Sequence, residues 1–324
     1  FYYIHMELEK KKVLVVGLGN IGRALARVTI LRKLMEVSVW NRSVDKAKNL
    51  FSEEEIKEEG VTFSIKENLH DAVKEAEIIV ISLTNYDAAY SALQQEVSDD
   101  FTNLSPIVEE LKGKLVIQLS SSKPSESRQW KNLMEKAGAI NIDGCVIGWP
   151  SMAGSDNFSV LVSGCSEEEY TKYRPILRVW GKPTFAGTGA GQADALDMAV
   201  LTYLQGIKFG FMQGLALCKQ AGVSIEQYND FAKHYLDVYK SVLDDTADKV
   251  SKRDYTTHIN TTVNILYEFN RSVLQHAEET GQSTEFLKAI DAPLHALVEA
   301  KKGQIDQTAS FEYMLKPNSS FFSQ

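Results

Sequence analysis

The stretch Val13-Leu-Val-Val-Gly17-Leu18-Gly19-Asn20-Ile21-Gly22 runs from a β-branched strand straight into a helical pattern, and this junction constrains the chain more than any other feature. Glycines spaced G-x-G-x-x-G at such a junction each meet a steric demand. Gly17 permits a tight turn, Gly19 lets the backbone approach a pyrophosphate, and Gly22 lets the helix pack on the strand. The helix start offers unpaired N–H donors and a partial positive charge. A dinucleotide phosphate is the expected ligand.

The pattern around the junction repeats along the first half. Short β-branched runs at 13–16, 37–40, 78–83 and 115–119 alternate with amphipathic stretches at 21–34, 44–59 and 86–95. Such alternation predicts βαβ units and a parallel sheet. Strands at 140–147 and 159–163 and a helix at 167–179 extend it. Beyond Gly181-Lys-Pro183 and Gly187-Thr-Gly-Ala-Gly191 only helical patterns remain: 192–221, a helix opened by the capping box Ser224-Ile-Glu-Gln227, then 255–279, 283–302 and 309–315. At roughly 150 residues per domain, the 324 residues divide into a cofactor domain at 6–188 and a helical domain at 189–324, with 192–221 as the interdomain helix. That helix is apolar nearly all round and needs cover on most sides. A homodimer is expected to supply it.

Charge and composition narrow the function further. Against 35 Lys+Arg stand 43 Asp+Glu, and the net charge of −8 opposes a nucleic-acid or anionic-membrane surface. No apolar run approaches the ~20 residues of a membrane span. Cys145, Cys165 and Cys218 are odd in number and far apart, which fits neither a disulfide framework nor a thiolate zinc site. The six histidines show no ligand spacing, so no metal is expected. The opening residues are too short for a signal-peptide apolar region, and Met6 reads as a native start. A cytoplasmic enzyme is the expectation.

The second strand chooses between cofactors. An acidic residue at its tip, about 20 residues past the glycines, would bind the ribose hydroxyls of NAD. Here the tip reads Trp40-Asn41-Arg42-Ser43, with Lys46 one turn later and no carboxylate at the tip. Arg42 can stack on adenine or grip a 2′-phosphate, Ser43 can donate a hydrogen bond, and Lys46 adds charge. NADPH is the expected cofactor.

With Gly17-Leu-Gly-Asn-Ile-Gly22 and Trp40-Asn-Arg-Ser43, three further stretches carry a family resemblance. They are Leu83-Thr-Asn-Tyr-Asp87, Leu119-Ser-Ser-Ser-Lys-Pro124 and Gly148-Trp-Pro-Ser-Met-Ala-Gly154. In this order, over 12–315, the chain resembles the imine reductases and reductive aminases, relatives of the β-hydroxyacid dehydrogenases. The resemblance implies an α/β Rossmann-type N-terminal domain, a long interdomain helix and an all-α C-terminal domain of the 6-phosphogluconate dehydrogenase kind, exchanged in an intertwined dimer. It also implies an active site between one subunit's Rossmann domain and the partner's helical domain. Cofactor contacts are implied at Gly17, Leu18, Gly19, Asn20, Ile21 and Gly22, at Asn41, Arg42, Ser43 and Lys46, and at Leu83 and Thr84. Ser121 falls near the nicotinamide, where some members carry asparagine.

The substrate end separates the two branches of that kinship. β-Hydroxyacid dehydrogenases carry an Asp-Ala-Pro-Val-Ser-Gly-Gly loop whose serine and glycine hold a carboxylate. Here the stretch is Asp143-Gly-Cys-Val-Ile147-Gly-Trp149, and that cradle is lost. Those enzymes also place on the interdomain helix a lysine that protonates an alkoxide. With Gly191 aligned to the helix-opening glycine, that position is Asp197, and no lysine occurs between Lys182 and Lys208. A carboxyl group beside an imine nitrogen favours its protonated form; a solvated helix face is the alternative reading of Asp197 and of Asp194 before it. Reductive aminases often carry tyrosine where this chain has Gln205, and Tyr203 points to another side of the helix. Trp149 and Tyr235 read as pocket walls or as core aromatics. The expected activity is NADPH-dependent reduction of imines, extending to reductive amination of a ketone with an amine. The alternatives are a β-hydroxyacid dehydrogenase and a non-catalytic NADP(H)-binding protein.

Overall fold

The computed structural model describes residues 10–98, 100–317 and 319–322; Met6 and Gln324, the outer bounds of the two expected domains, lie outside the described residues. The described chain forms two compact units, one reaching to Thr202 and one beginning at Tyr203.

The first unit runs β1 (Lys12–Val16), α1 (Asn20–Leu31), β2 (Glu36–Trp40), α2 (Val44–Lys48), α3 (Glu53–Glu59), β3 (Ser64–Ile65), α4 (Leu69–Glu75), β4 (Ile78–Ile81), α5 (Tyr86–Ala92), α6 (Pro106–Glu109), β5 (Leu115–Gln118), α7 (Pro124–Ala137), β6 (Ile140–Ile147), β7 (Ser159–Ser163), α8 (Glu167–Trp180) and β8 (Lys182–Gly187). One sheet takes the order β3-β2-β1-β4-β5-β6-β7-β8. The first six strands are parallel, in the doubly wound dinucleotide-binding order. β7 turns antiparallel against β6, and β8 follows β7 in parallel.

The uninterrupted apolar runs of β1 and β4 are explained by burial on both faces. Val13, Val15 and Val80 meet Leu25 and Ile30 of α1 and Trp180 of α8. Leu14, Val16, Ile79 and Ile81 face the other way, toward Leu69 of α4, Tyr86 of α5 and Trp130 of α7. The period of two along each strand sorts these side chains between the two layers.

Three departures from the sequence pattern have local causes. The helix expected over 44–59 breaks into α2 and α3. Ser52 Oγ accepts from the Glu55 N–H at 3.1 Å and Glu55 Oε2 accepts from the Ser52 N–H at 2.8 Å, a capping box that starts a new helix. The break turns Leu50 and Phe51 into the core, with the Arg27 guanidinium 4.2 Å above the Phe51 ring. β8 occupies a stretch to which the sequence pattern assigns no element, and its proline is tolerated because β8 is an edge strand. The helix expected from residue 255 begins only at Val263. Tyr255 is buried instead, its hydroxyl donating to Glu312 Oε1 at 2.9 Å.

Helix α9 (Gln192–Gln220) begins in the first unit and continues in the second, which holds α10 (Ile225–Lys252), α11 (Val263–Glu279), α12 (Glu285–Glu299) and α13 (Ser310–Leu315). The second unit contains no strand among its described residues; Thr262 and Asp306 form an isolated bridge. Its core gathers Val263, Leu294 and Leu297. Beside it, buried Lys249 donates to Asp245 at 2.8 Å and Asp306 at 2.9 Å. Of α9 only Ala193 and Asp194 are buried, whereas Leu196, Met198 and Leu201 in the first unit and Leu204, Phe209 and Met212 in the second are 40–52 % exposed. No described helix is long and apolar enough to cross a membrane.

The capping box expected at Ser224 is present, with Ser224 Oγ accepting from the Gln227 N–H at 3.1 Å and Gln227 Oε1 accepting from the Ser224 N–H at 3.2 Å. Ser224→Ala should therefore cost about 1 kcal/mol of stability, read as a lower urea midpoint. An unchanged midpoint would contradict the cap.

Candidate functional site

The sheet order reverses between β1 and β4, and a cleft of about 670 Å³ opens beyond the carboxyl ends of these strands and of β2 and β5. Crevices at such switch points are where doubly wound sheets bind ligands. Gly17 closes β1 with φ +98° and donates its N–H to the Trp40 carbonyl at 2.9 Å. A Cβ at Gly17 would collide with the Ser82 carbonyl, and one at Gly22 would collide with the Gly17 carbonyl. At Gly19 there is open space. Gly19 caps α1 without any side-chain hydrogen bond, and the first turn carries no acidic residue. The first N–H groups of α1 thus keep their capacity for an anion.

Gly17, Gly19, Asn20, Ile21, Gly22, Asn41, Arg42, Ser43, Lys46, Leu83, Thr84 and Ser121 all line this cleft. Leu18 does not: its side chain is in the core, and its N–H donates to Asn41 Oδ1 at 2.9 Å. Asn41 in turn donates from Nδ2 to the Ser43 carbonyl at 2.9 Å, so its side chain ties the glycine loop to the β2 tip. Arg42 and Lys46 are exposed and form no ion pair among the described residues. Asp45 is the nearest acid in sequence, in the first turn of α2, and is not part of the wall.

The sequence reading missed Trp40 and Gln94, which also line the cleft. It missed, too, a clamp beneath it. The Leu83 N–H donates to Ser120 Oγ at 3.0 Å, and the Ser120 hydroxyl donates to Gln118 Oε1 at 2.7 Å. This joins the loops after β4 and β5 and fixes Leu83 relative to Ser121. The available signal was a glutamine, Gln118, closing a strand that is otherwise apolar and is buried throughout.

Asp194 is not on a solvated face. It is 1 % exposed and accepts from Ser122 Oγ at 3.0 Å and Ser127 Oγ at 2.6 Å, which pins the start of α9 to α7 and the loop before it. Asp197, one turn later, is half-buried; burial first, then the charge of Asp194, push its carboxyl above the usual range. Asp143 on β6 is fully buried and accepts from the Tyr86 hydroxyl. Burial and then Asp194 push Asp143 up to about 7. Burial likewise raises the Cys145 thiol, which donates to the Ala193 carbonyl at 3.8 Å.

Trp149 follows β6 in the first unit and is 71 % exposed. Tyr203, Gln205 and Tyr235 belong to the second unit, on α9 and α10, and all three are exposed. The Tyr235 ring packs on Phe231 at 4.9 Å.

A raised acid holds a proton in the folded protein that the unfolded chain releases. The stability Asp143 contributes is therefore full below its ordinary value of 3.8 and is lost as pH rises through about 7. Asp143→Asn should flatten the fall in Tm across that window relative to the parent. Parallel Tm curves for the two proteins would contradict the assignment.

Comparison with known proteins divides the chain at residue 189. Residues 12–189 match the family described as the NAD binding domain of 6-phosphogluconate dehydrogenase. Residues 189–316 match the NADPH-dependent reductive aminase-like C-terminal domain. An NADPH-dependent reductive aminase of Aspergillus oryzae is 25% identical over 306 residues, covering 94% of this chain and 97% of its own. An imine reductase from Myxococcus stipitatus in complex with NADP+ is 25% identical with a TM-score of 0.82, covering 94% of this chain and 99% of that one. A reductive aminase from Aspergillus terreus in complex with NADPH and ethyl levulinate, 23% identical over 94% of this chain and 99% of its own, shares the fold with a TM-score of 0.79.

Proposed function

The chain belongs to the imine reductase and reductive aminase family, and on that footing we propose that it reduces C=N bonds with NADPH. The observation that carries the reading is a cofactor wall bearing two cations, Arg42 and Lys46, that form no ion pair among the described residues; the half-buried acid Asp197 on α9 supports it. The residues fit the cofactor: Gly19 leaves room for a pyrophosphate, and the uncapped start of α1 faces it with N–H donors. Arg42, Ser43 and Lys46 hold the 2′-phosphate. NADPH supplies the hydride when bound.

Asp197 orients the imine and gives its nitrogen a proton, which makes the carbon electrophilic. Burial and then the charge of Asp194 push the Asp197 carboxyl upward, the direction that favours the protonated acid this role needs. Gln205 can hydrogen-bond but is no acid. The substrate roles of Trp149, Tyr203, Gln205 and Tyr235, and that of Ser121 beside the nicotinamide, rest on the family resemblance. The β-hydroxyacid dehydrogenase alternative is opposed by Ile147 and Trp149 in place of the carboxylate cradle and by Asp197 in place of lysine. We assign the cofactor domain to 6–188, the helical domain to 189–324, and the cytoplasm as the compartment, with no metal taking part. The exposed apolar side chains of α9 and α10, such as Leu204, Phe209, Phe231 and Tyr239, support a homodimer. A monodisperse 36.2 kDa species in light scattering at micromolar concentration would contradict it.

The direct test compares NADPH oxidation with 1-pyrroline against NADP+ reduction with a 3-hydroxy acid. Turnover with the imine alone is expected; turnover with the hydroxy acid alone, or with neither, would overturn the proposal. NADPH should be strongly preferred over NADH. Arg42→Ala should raise the KM for NADPH at least tenfold, since a charge-assisted contact contributes about 1.5–3 kcal/mol. Equal use of NADH by the parent protein would contradict the role of Arg42. Asp197→Asn should keep NADPH binding and lower turnover by about 10²–10⁴; a rate within twofold of the parent would remove Asp197 from the chemistry.

A further inference from the structure

The mechanism above gives no part to Asp194, although it is the buried carboxylate of α9 and spends both oxygens on hydroxyl donors. Three tethers hold it. Ser122 and Ser127 donate to its two oxygens, these serines touch each other at 2.8 Å, and the next residue back, Ala193, donates its N–H to Ser163 Oγ at 3.0 Å. The first turn of α9 is therefore fixed against α7 and β7, and the three-residue spacing places Asp197 on the same side of the helix, about 5–6 Å away at the Cβ atoms.

Among the described residues, no lysine, arginine or histidine forms an ion pair with Asp194 or Asp197. The titratable groups around the pair are Asp143 and Cys145 on β6 and, beyond Asp143, Tyr86 on α5. Burial pushes the Cys145 thiol and the Tyr86 phenol up, so both stay neutral at physiological pH. A buried carboxylate fully satisfied by hydroxyls and forming no ion pair among the described residues exerts its field on the ionisable groups around it, here Asp143 and Asp197.

We propose that Asp194 is a positioning residue for the reaction: pinned by Ser122 and Ser127, it sets the orientation of Asp197 and, through its negative charge, keeps a proton on that side chain for delivery to the imine. The inference rests on the reading of Asp197 as the proton donor. In the step it supports, the Asp197 O–H bond breaks with its electron pair left on the carboxylate, an N–H bond forms at the imine nitrogen, and the hydride adds to carbon. The upward displacement of the Asp197 carboxyl, with Asp194 as its Coulombic cause after burial, agrees with this geometry.

Asp194→Asn keeps the size and the hydrogen-bonding capacity toward both serines while removing the charge. Two measurements decide the matter. In the pH–rate profile for a preformed cyclic imine, the alkaline limb of kcat should move to lower pH by at least about half a unit. In a carbon-13 NMR titration of carboxyl-labelled aspartates, with the Asp197 signal assigned by its loss in Asp197→Asn, the Asp197 midpoint should fall by the same amount without any turnover. An unmoved Asp197 midpoint in Asp194→Asn overturns the proposal. A parent pH–rate limb that persists in Asp197→Asn overturns the donor reading instead, and the NMR titration still reports whether Asp194 tunes its neighbour. Should Asp194→Asn not fold, Ser127→Ala serves: it removes one of the two hydroxyls that pin Asp194, so kcat for the imine should fall with NADPH binding kept. A kcat equal to the parent's there overturns the proposal.

Discussion

The first unit depends on backbone meeting backbone. At the reversal of the sheet, the glycine loop lies so close to the end of β4 that a side chain at Gly17 would strike the Ser82 carbonyl, and one at Gly22 would strike Gly17. This contact places the start of α1 over the carboxyl ends of β1 and β4 and leaves its N–H groups aimed into the cleft. The close-packed layers on both faces of the sheet then make the position rigid.

Around this contact the other site elements are held by a few hydrogen bonds. Asn41 links the glycine loop to the β2 tip that carries Arg42 and Ser43, with Lys46 one turn later. The Gln118–Ser120–Leu83 chain does the same for the loops after β4 and β5. Farther along, Ser122 and Ser127 hold Asp194 and thereby fix the origin of the helix that carries Asp197. A few polar side chains thus register the loops around the cleft and the start of α9.

The parts of this account that were legible in the sequence are those set by local rules. Glycine spacing, β-branched runs, the Arg42-Ser43 tip and the Ser224 capping box are each decided within a few residues, and each matches what folds. What was not legible depends on distant partners. Leu18 reads as part of a phosphate loop, yet its amide is taken by Asn41, 23 positions away. Asp194 and Asp197 look alike on a helical wheel, and only the serines of another segment, 67 and 72 positions away, make one a buried strut. Tyr255 reads as the first turn of a helix, but Glu312 draws it into the core, and the proline-bearing edge strand β8 has no strand signal of its own.

The central claim is that hydride passes from NADPH to a carbon doubly bonded to nitrogen while the chain supplies the proton. Its most direct test is turnover of a cyclic imine with NADPH deuterated at both C4 positions, followed by mass spectrometry of the amine. One deuterium on the former imine carbon, and none on nitrogen after washing with water, is the predicted result. An amine formed without deuterium on carbon, or oxidation of the cofactor with no labelled amine, would contradict the account.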